Sequence, residues 1–489
     1  MLLKDLLVNV EITAYTVDLN MQISGVSCDS RTVRAGELFV AIKGFESDGH
    51  KFISNAIENG ASCVLCECAP DINLQNIPYV TTSNTRRGLA MAAAVWYDYP
   101  AEKLKVIGIT GTNGKTTVTN LIKHMLEVCE NAKVGLIGTN MNMIGSKELP
   151  TSLTTPESLE INRLLAEMVN EGCKYAVMEV SSHAISLNRV DGIIFEAGAF
   201  TNLTPDHLDF HASIDEYAQV KSKLFASCRG CAINLDDEYA DIMISSATGR
   251  VMTYAINKDS ADLVAKSVKL HSNRVTFCAL TASDLYRMEL KIPGLFSVYN
   301  ALTAISILLI LGHDIESTIA AIKSSKGVKG RAEVVPVDRE YSVIIDYAHT
   351  PDALENIINT VKGFTKGRVI TLFGCGGDRD RTKRPIMGKI ASDLSDFVVV
   401  TSDNPRTEIP GTIINDIIQG MKDTLTPYQI IENRREAIRW ALCNCQPGDT
   451  LILAGKGHET YQILGKEKIS FDEREIVADI LADEGKDLC

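Results

Sequence analysis

Val106-Ile107-Gly108-Ile109-Thr110-Gly111-Thr112-Asn113-Gly114-Lys115-Thr116-Thr117 is a short apolar run that breaks into glycines and then into one basic and two hydroxylated residues. The run before Thr110 suits a buried strand, and the apolar residues at 118, 121, 122, 125 and 126 repeat at helical spacing. Strand, glycine loop and helix together make a phosphate-binding loop. Glycines let backbone N–H groups close around phosphate oxygens at a helix N-terminus, a lysine neutralises the terminal phosphates, and the next hydroxyl suits a nucleotide-bound Mg²⁺. Gly111, Thr112, Asn113, Gly114, Lys115, Thr116 and Thr117 are therefore candidate nucleotide-binding residues. The strict pattern asks for glycine five residues before Gly114; Ile109 stands there, so the loop is a variant.

Outward from this loop, apolar strand-like runs at residues 106–109, 175–180 and 196–200 alternate with helical periodicity, the pattern of a parallel sheet covered by helices. A second such series follows Arg331, at residues 341–346, 368–373, 397–401 and 450–454. Residues before about 98 carry short strand patterns such as Glu37-Leu-Phe-Val-Ala-Ile42 with turn signals around them. The expected fold class is α/β in three domains: a small mixed domain over 1–98, a central P-loop parallel-sheet domain over 99–330, and a Rossmann-like α/β domain over 331–489. A chain of 489 residues is too long for one ordinary core, in keeping with this division.

Composition narrows the function. With 45% hydrophobic and 23% charged residues the chain is globular rather than disordered. A net charge of −13 argues against broad binding to nucleic acid or anionic membrane, because no basic excess exists to displace counterions. An anionic substrate has to be held by a few placed lysines and arginines. Lys4, Asp5 and Glu11 interrupt what would have to be a signal segment, and the longest apolar run, near residues 304–311, is too short to span a bilayer. A cytoplasmic location is expected. The 13 cysteines, an odd number, include Cys63-x-x-Cys66 and Cys228-x-x-Cys231; both pairs lack companions nearby and read as structural thiols rather than zinc ligands.

Further candidates lie beyond predicted strand ends. Glu179 closes the run Tyr175-Ala-Val-Met-Glu and is placed to hold a nucleotide-bound metal, with Ser181, Ser182 and His183 following it. Thr201-Asn-Leu-Thr-Pro-Asp206-His207-Leu-Asp209-Phe-His211 is dense in metal-capable side chains. The next helix is announced by a capping box, Ser213-Ile-Asp-Glu216, and places Tyr217, Lys221, Leu224 and Phe225 on one face, so Lys221 starts from the apolar side; a snorkelling lysine is the plainer account of that spacing. In the last third, Asp346-Tyr-Ala-His349 is placed for an Asp to accept from ribose hydroxyls, and Gly374-Cys-Gly376-Gly377-Asp378-Arg379, Asp403-Asn404-Pro405-Arg406 and Gly455-Lys456-Gly457-His458-Glu459 follow strands as well. The glycine cluster alone is weak evidence for a dinucleotide, and Arg379 to Arg384 read equally well as a solvated loop.

These motifs, taken in order, resemble the Mur ligases, the three-domain ATP-dependent amide-forming enzymes of peptidoglycan synthesis. The residues that carry the resemblance are Thr110 to Thr117, Glu179-Val-Ser-Ser-His183, Thr201-Asn-Leu-Thr-Pro-Asp-His207, Gly330-Arg331 and Asp346-Tyr-Ala-His349. Asp29-Ser30-Arg31, Thr154-Thr155-Pro156 and Asp403-Asn-Pro-Arg406 are similar to the branch that adds meso-2,6-diaminopimelate to UDP-N-acetylmuramoyl-L-alanyl-D-glutamate. The resemblance implies ATP as cosubstrate and Mg²⁺, with Lys115, Thr116, Glu179 and His207 serving both, and Asn300, Arg331 and Asp346 on the nucleotide side. It implies Ser30 for the uridine nucleotide and Thr154, Thr155, Ser181 and Arg189 for the muramyl-dipeptide. Lys221 matches the lysine that carries an N6-carboxyl group, a further metal-side anion. Arg379, Asp403, Asn404, Pro405, Arg406, Gly455 and Glu459 would hold the diamino acid. Ser297 departs from the family, which often has Asn there. A monomer acting on small molecules is expected, with no nucleic-acid or membrane partner. Three alternatives stay open: L-lysine as the added amino acid, a folylpolyglutamate-synthase-like ligase, and a P-loop ATPase without ligase activity. The second would carry Gly-Ser after the P-loop lysine, where Thr116-Thr117 stand here, and the third leaves Asp403 to Arg406 unexplained.

Overall fold

A computed structural model describes residues 1–44, 47–70, 77–151, 153–205, 210–282, 284–325 and 327–483. Its regular structure is α/β throughout, and contact density divides it into two units, one of residues 1–264 with 302–321 and the other of residues 265–301 with those from 322 onward.

In the first unit the apolar run becomes strand Lys105–Thr110, paired in parallel with Tyr175–Glu179 on one side and Ala197–Phe200 on the other. Val134–Ile137 lies beyond the former, and Gly230–Asn234 and then Arg250–Ala255 beyond the latter, all parallel. The chain runs outward to Val134–Ile137, returns to Tyr175–Glu179 and crosses to Ala197–Phe200, so strand order reverses at Lys105–Thr110. At such a reversal the loops at the strand C-termini diverge and leave a ligand crevice. Nearly every residue of these strands is buried, as expected for a sheet covered on both faces, and Val106, Met178, Phe195, Phe200, Tyr217 and Phe225 share one core. Helix Lys115–Glu130 buries Val118, Leu121, Ile122, Met125 and Leu126, the residues that its spacing singled out.

The N-terminal part of this unit is a separate five-stranded sheet in the order Ala14–Tyr15, Tyr79–Thr81, Cys63–Cys66, Glu37–Val40, Gly25–Ser27. Residues three apart on a strand face opposite ways. Cys63 accordingly packs with Leu3 and Leu6, and Cys66 with Val33 and Phe39, so the pair does not converge on one metal. Burial pushes both thiols up to about 12. Cys228 and Cys231 donate to the Leu224 and Phe225 carbonyls at 3.2 and 4.0 Å.

The second unit holds a six-stranded sheet in the order Glu333–Val335, Ser342–Asp346, Thr450–Ala454, Val369–Phe373, Phe397–Val400, Tyr428–Ile430, parallel except at its first strand. The last strand in sequence inserts between two earlier ones. This brings the loops after Asp346, Ala454, Phe373 and Val400 to one edge, where Rossmann-like sheets bind ligands.

Candidate active site

Gly111 has φ +146°, and a Cβ there would lie 1.9 Å from Thr201 Oγ1, so only glycine lets the loop pass this close to the next strand's end. The loop is stitched to that neighbour. Thr112 N donates to Asn202 O (2.8 Å), Asn113 N to Asn202 Oδ1 (2.9 Å), and Thr201 Oγ1 to Asn113 O (2.6 Å). Lys115 Nζ bends back onto the Gly111 and Thr112 carbonyls at 2.9 and 2.7 Å. The lysine thus holds the loop's curvature with its charge facing the cradle.

Glu179 is the last residue of its strand and 1% exposed. A buried carboxylate must be hydrogen-bonded, and this one accepts from Thr116 Oγ1 (3.0 Å), Thr139 N (2.8 Å) and Thr139 Oγ1 (3.0 Å). Carboxylate and hydroxyl oxygens gathered in this way are the hard donors that Mg²⁺ takes. The same strand end holds a second group: the Thr139 and Thr154 hydroxyls lie 3.0 Å apart, Thr155 Oγ1 donates to Glu179 O (2.8 Å) and Ser181 N to Thr155 Oγ1 (3.1 Å). Arg189 donates to Thr155 O (2.9 Å) and pairs with Glu157 (2.6 Å), which faces Arg86 at 3.6 Å. Thr154, Thr155, Ser181 and Arg189 are therefore neighbours. Ser30 lies in the N-terminal sheet's loops, buried, its carbonyl accepting from Asn59.

Lys221 is also 1% exposed, its ammonium 2.9 Å from Gly111 O and 4.4 Å from the centroid of the Tyr217 ring. The snorkelling account fails here: the side chain runs inward, to the P-loop. The helix that carries it, Ile214–Ser222, tightens to a 3₁₀ turn at Lys223–Ser227 rather than continuing through Phe225. Ser213 caps it as expected, accepting from Glu216 N at 3.1 Å, while Glu216 reaches back to Ala212 N, one residue beyond the usual capping-box partner. His207, with Asp206 and Asp209, lies outside the described residues. His211 is buried against Ser182 Oγ at 3.0 Å.

In the second unit, Asp346 Oδ2 accepts from Ala332 N at 2.7 Å and burial pushes its pKa up, Arg331 opposing. Part of the carboxyl expected for a ribose is thus spent on the backbone. Arg331 lies over the Tyr347 ring at 5.1 Å, and Asn300 and Ser297 are buried on helix Leu295–Ile310, where Ser297 Oγ bonds Pro293 O (2.7 Å). The glycine cluster has a reason other than a dinucleotide: a Cβ on Gly377 would sit 1.9 Å from Pro405 O, so glycine is what lets residues 374–377 lie against residues 403–406. Asn404 Nδ2 donates to Glu459 Oε2 (2.9 Å), and Asp403 Oδ2 lies 2.6 Å from where a Gly455 Cβ would be. Arg406, at φ +51°, is half-buried and donates from Nη1 to Gly377 O (2.8 Å) and Asn404 O (3.4 Å); its Nε and Nη2 make no hydrogen bond among the described residues. Asp403, Asn404, Pro405, Arg406, Gly455 and Glu459 come together. Arg379 is exposed at their margin.

Sequence reasoning passed over Thr139, Glu157 and Glu408, and it gave Lys456 and Arg384 no role of their own. Thr139 was visible as the hydroxyl two residues past an apolar run. Arg384 is wholly buried and forks onto Glu408 at 2.8 and 3.1 Å, which removes for this residue the solvated-loop reading, one of the two that the sequence left equal. Glu408 also accepts from Asp378 N (2.6 Å), tying the two loops. These bonds, that to Arg384 foremost, hold its carboxyl at about 2, below the ordinary 4.5. A depressed carboxylate stabilises the fold above its unfolded pKa, and the contribution disappears as pH falls from about 4.5 towards about 2. Urea midpoints should therefore fall more between about pH 6 and about pH 3 in wild type than in Glu408→Gln. Equal slopes in the two proteins would exclude this assignment.

Three family models match consecutive parts of the chain: Mur ligase family, catalytic domain, at residues 22–106; Mur ligase middle domain at 109–308; and Mur ligase, glutamate ligase domain, at 330–457. The chain belongs to the Mur ligase family. It is 51% identical over 471 residues, 96% of each chain, to the UDP-N-acetylmuramoyl-L-alanyl-D-glutamate--2,6-diaminopimelate ligase of Caldanaerobacter subterraneus subsp. tengcongensis. It is 46% identical over 483 residues, 98% of this chain and 99% of the other, to UDP-N-acetylmuramoyl-L-alanyl-D-glutamate--2,6-diaminopimelate ligase 1 of Clostridium acetobutylicum. A solved structure of an enzyme with this name superposes with a TM-score of 0.73 at 31% identity, covering 100% of both chains.

Proposed function

We propose that this chain is the ATP-dependent, ADP-forming ligase that joins meso-2,6-diaminopimelate to UDP-N-acetylmuramoyl-L-alanyl-D-glutamate in peptidoglycan precursor synthesis. One observation carries the substrate assignment: 51% identity along 96% of the chain to a protein named for that reaction. A carboxylate is a poor electrophile. Its oxygen attacks the γ-phosphorus of ATP, ADP leaves, the amine nitrogen then attacks the acyl phosphate, and phosphate departs while the amine loses its proton. Gly111 to Thr117 cradle the phosphates, and Lys115 offsets charge on the transferred group. Asn300, Arg331 and Asp346 serve the rest of the nucleotide. Thr116 and Glu179, with His207, hold Mg²⁺, which when bound neutralises phosphate charge. Ser30 takes the uridine nucleotide, and Thr154, Thr155, Ser181 and Arg189 position the dipeptide.

Lys221 in this reading carries a carboxyl group, formed when its neutral amine adds to CO₂ and loses a proton. The carbamate nitrogen keeps one N–H, so the bond to Gly111 O survives, and the group supplies an anion on the metal side of the P-loop. Domains at 1–98, 99–330 and 331–489, a cytoplasmic location and a monomeric state belong to the same proposal. Among the described residues no helix is long and apolar enough to cross a membrane.

Phosphate release measured with UDP-muramyl-dipeptide across a panel of amino acids tests the reaction; release that ignores the amino acid would point to a P-loop ATPase without ligase activity. The choice between diaminopimelate and L-lysine rests on Arg406. Its Nε–Nη2 edge suits a second carboxylate side-on, while the ammonium end of lysine meets it with like charge. Arg406→Ala should cut the ratio of kcat/KM for diaminopimelate over lysine by at least about tenfold. A wild-type preference for lysine, or an unaltered ratio, would mean that the assignment is wrong.

A further inference from the structure

Lys456 is completely buried, at the end of the strand whose loop supplies Gly455 and Glu459. Burying an ammonium is costly, and an apolar residue would serve packing better unless the charge has local work. Its Nζ lies 3.1 Å from Asn404 Oδ1 and 3.2 Å from Glu459 Oε2, and the Tyr461 and Phe471 rings each lie 5.8 Å away. Asn404 Nδ2 in turn donates to Glu459 Oε2 at 2.9 Å, closing a triangle. Ile463 N also donates to Asn404 Oδ1, at 3.0 Å.

Resting on the amino-acid site proposed above, we infer that Lys456 is a positioning residue for the head of the incoming amino acid. Two donors on Oδ1 fix which way the Asn404 amide points. Among the described residues its second Nδ2–H and Glu459 Oε1 make no hydrogen bond, which leaves a donor for a carboxylate and an acceptor for an ammonium. A donor and an acceptor side by side complement one zwitterionic head, and Lys456 keeps the half-buried Glu459 carboxylate from being an unpaired charge beside them. Lys456 itself touches neither ATP nor substrate.

The test is steady-state kinetics on the full chain. Lys456→Met should raise KM for diaminopimelate by about tenfold, with kcat and KM for ATP within about twofold. Lys456→Gln, which keeps a donor but no charge, should fall between Met and wild type. Glu459→Gln is the control for the site: if it leaves KM for diaminopimelate unchanged, the site is misplaced and this inference goes with it. If Glu459→Gln raises that KM while both Lys456 variants do not, the site stands and the lysine is mere packing. Equal losses of kcat and of affinity for ATP in the Lys456 variants would show general damage and overturn the inference. Failure of both to yield folded protein would make the lysine a folding requirement, and the positioning role would be withdrawn.

Discussion

Lys115→Ala is expected to lower kcat for ligation by about 10³-fold, with the fold unchanged. The lysine is the first residue of helix Lys115–Glu130, outside the hydrophobic cores, and donates to the Gly111 and Thr112 carbonyls of the loop just before it. Removing it therefore removes charge where charge is transferred, not packing. The loop's other ties, to Asn202 and Thr201, remain in the variant. A circular dichroism spectrum and melting midpoint close to wild type, together with the loss in kcat, are the expected pair. Near-normal turnover in a folded variant would remove the P-loop from the mechanism.

Lys221→Ala is expected to cost a similar factor, about 10²–10³-fold in kcat, and formate or acetate should restore part of it. An external carboxylate supplies the anion that the carbamate would have presented; an added primary amine supplies only a cation. Rescue by carboxylate and not by amine therefore separates a carboxylated lysine from an ordinary one. An independent readout comes from ¹³C-enriched bicarbonate, which should place one labelled carbonyl carbon on wild-type protein and none on Lys221→Ala. Identical carbon spectra for the two proteins, or rescue by the amine alone, would refute the modification. Burial of the lysine at 1% exposure makes either role energetically consequential, since deleting a buried polar group leaves its partners unpaired.

Local chemistry was legible in the sequence wherever a short motif carries its own geometry. The glycines and lysine after residue 110, the capping serine at 213 and the apolar strands are read from spacing alone, because a helix start, a tight turn or a buried parallel strand constrains residues only a few positions apart. Element ends were less legible. The expected strand start at residue 196 moves to Ala197, with Glu196 outside the strand and facing Arg229 at 3.6 Å. Lys221 shows the limit most clearly. Spacing puts it on the apolar face, where long side chains ordinarily escape to water, and Gly111 O, 110 residues earlier, is delivered by the fold to receive it inside.

What the sequence by itself determined is thus the α/β class, the P-loop, the order of the ligand-bearing loops and, through whole-length resemblance, the family. What only the tertiary structure decided is which distant side chains meet. Thr139 reaches Glu179 because parallel strands place their C-terminal loops together. Arg384 is buried because Glu408 arrives from another loop to receive it, and Lys456 because Asn404 does the same beside Glu459 of its own loop. The physical reason is common to all three. A charge or hydroxyl is buried only when its hydrogen-bond partner is delivered by the fold, and no periodicity within one segment records what another segment will bring.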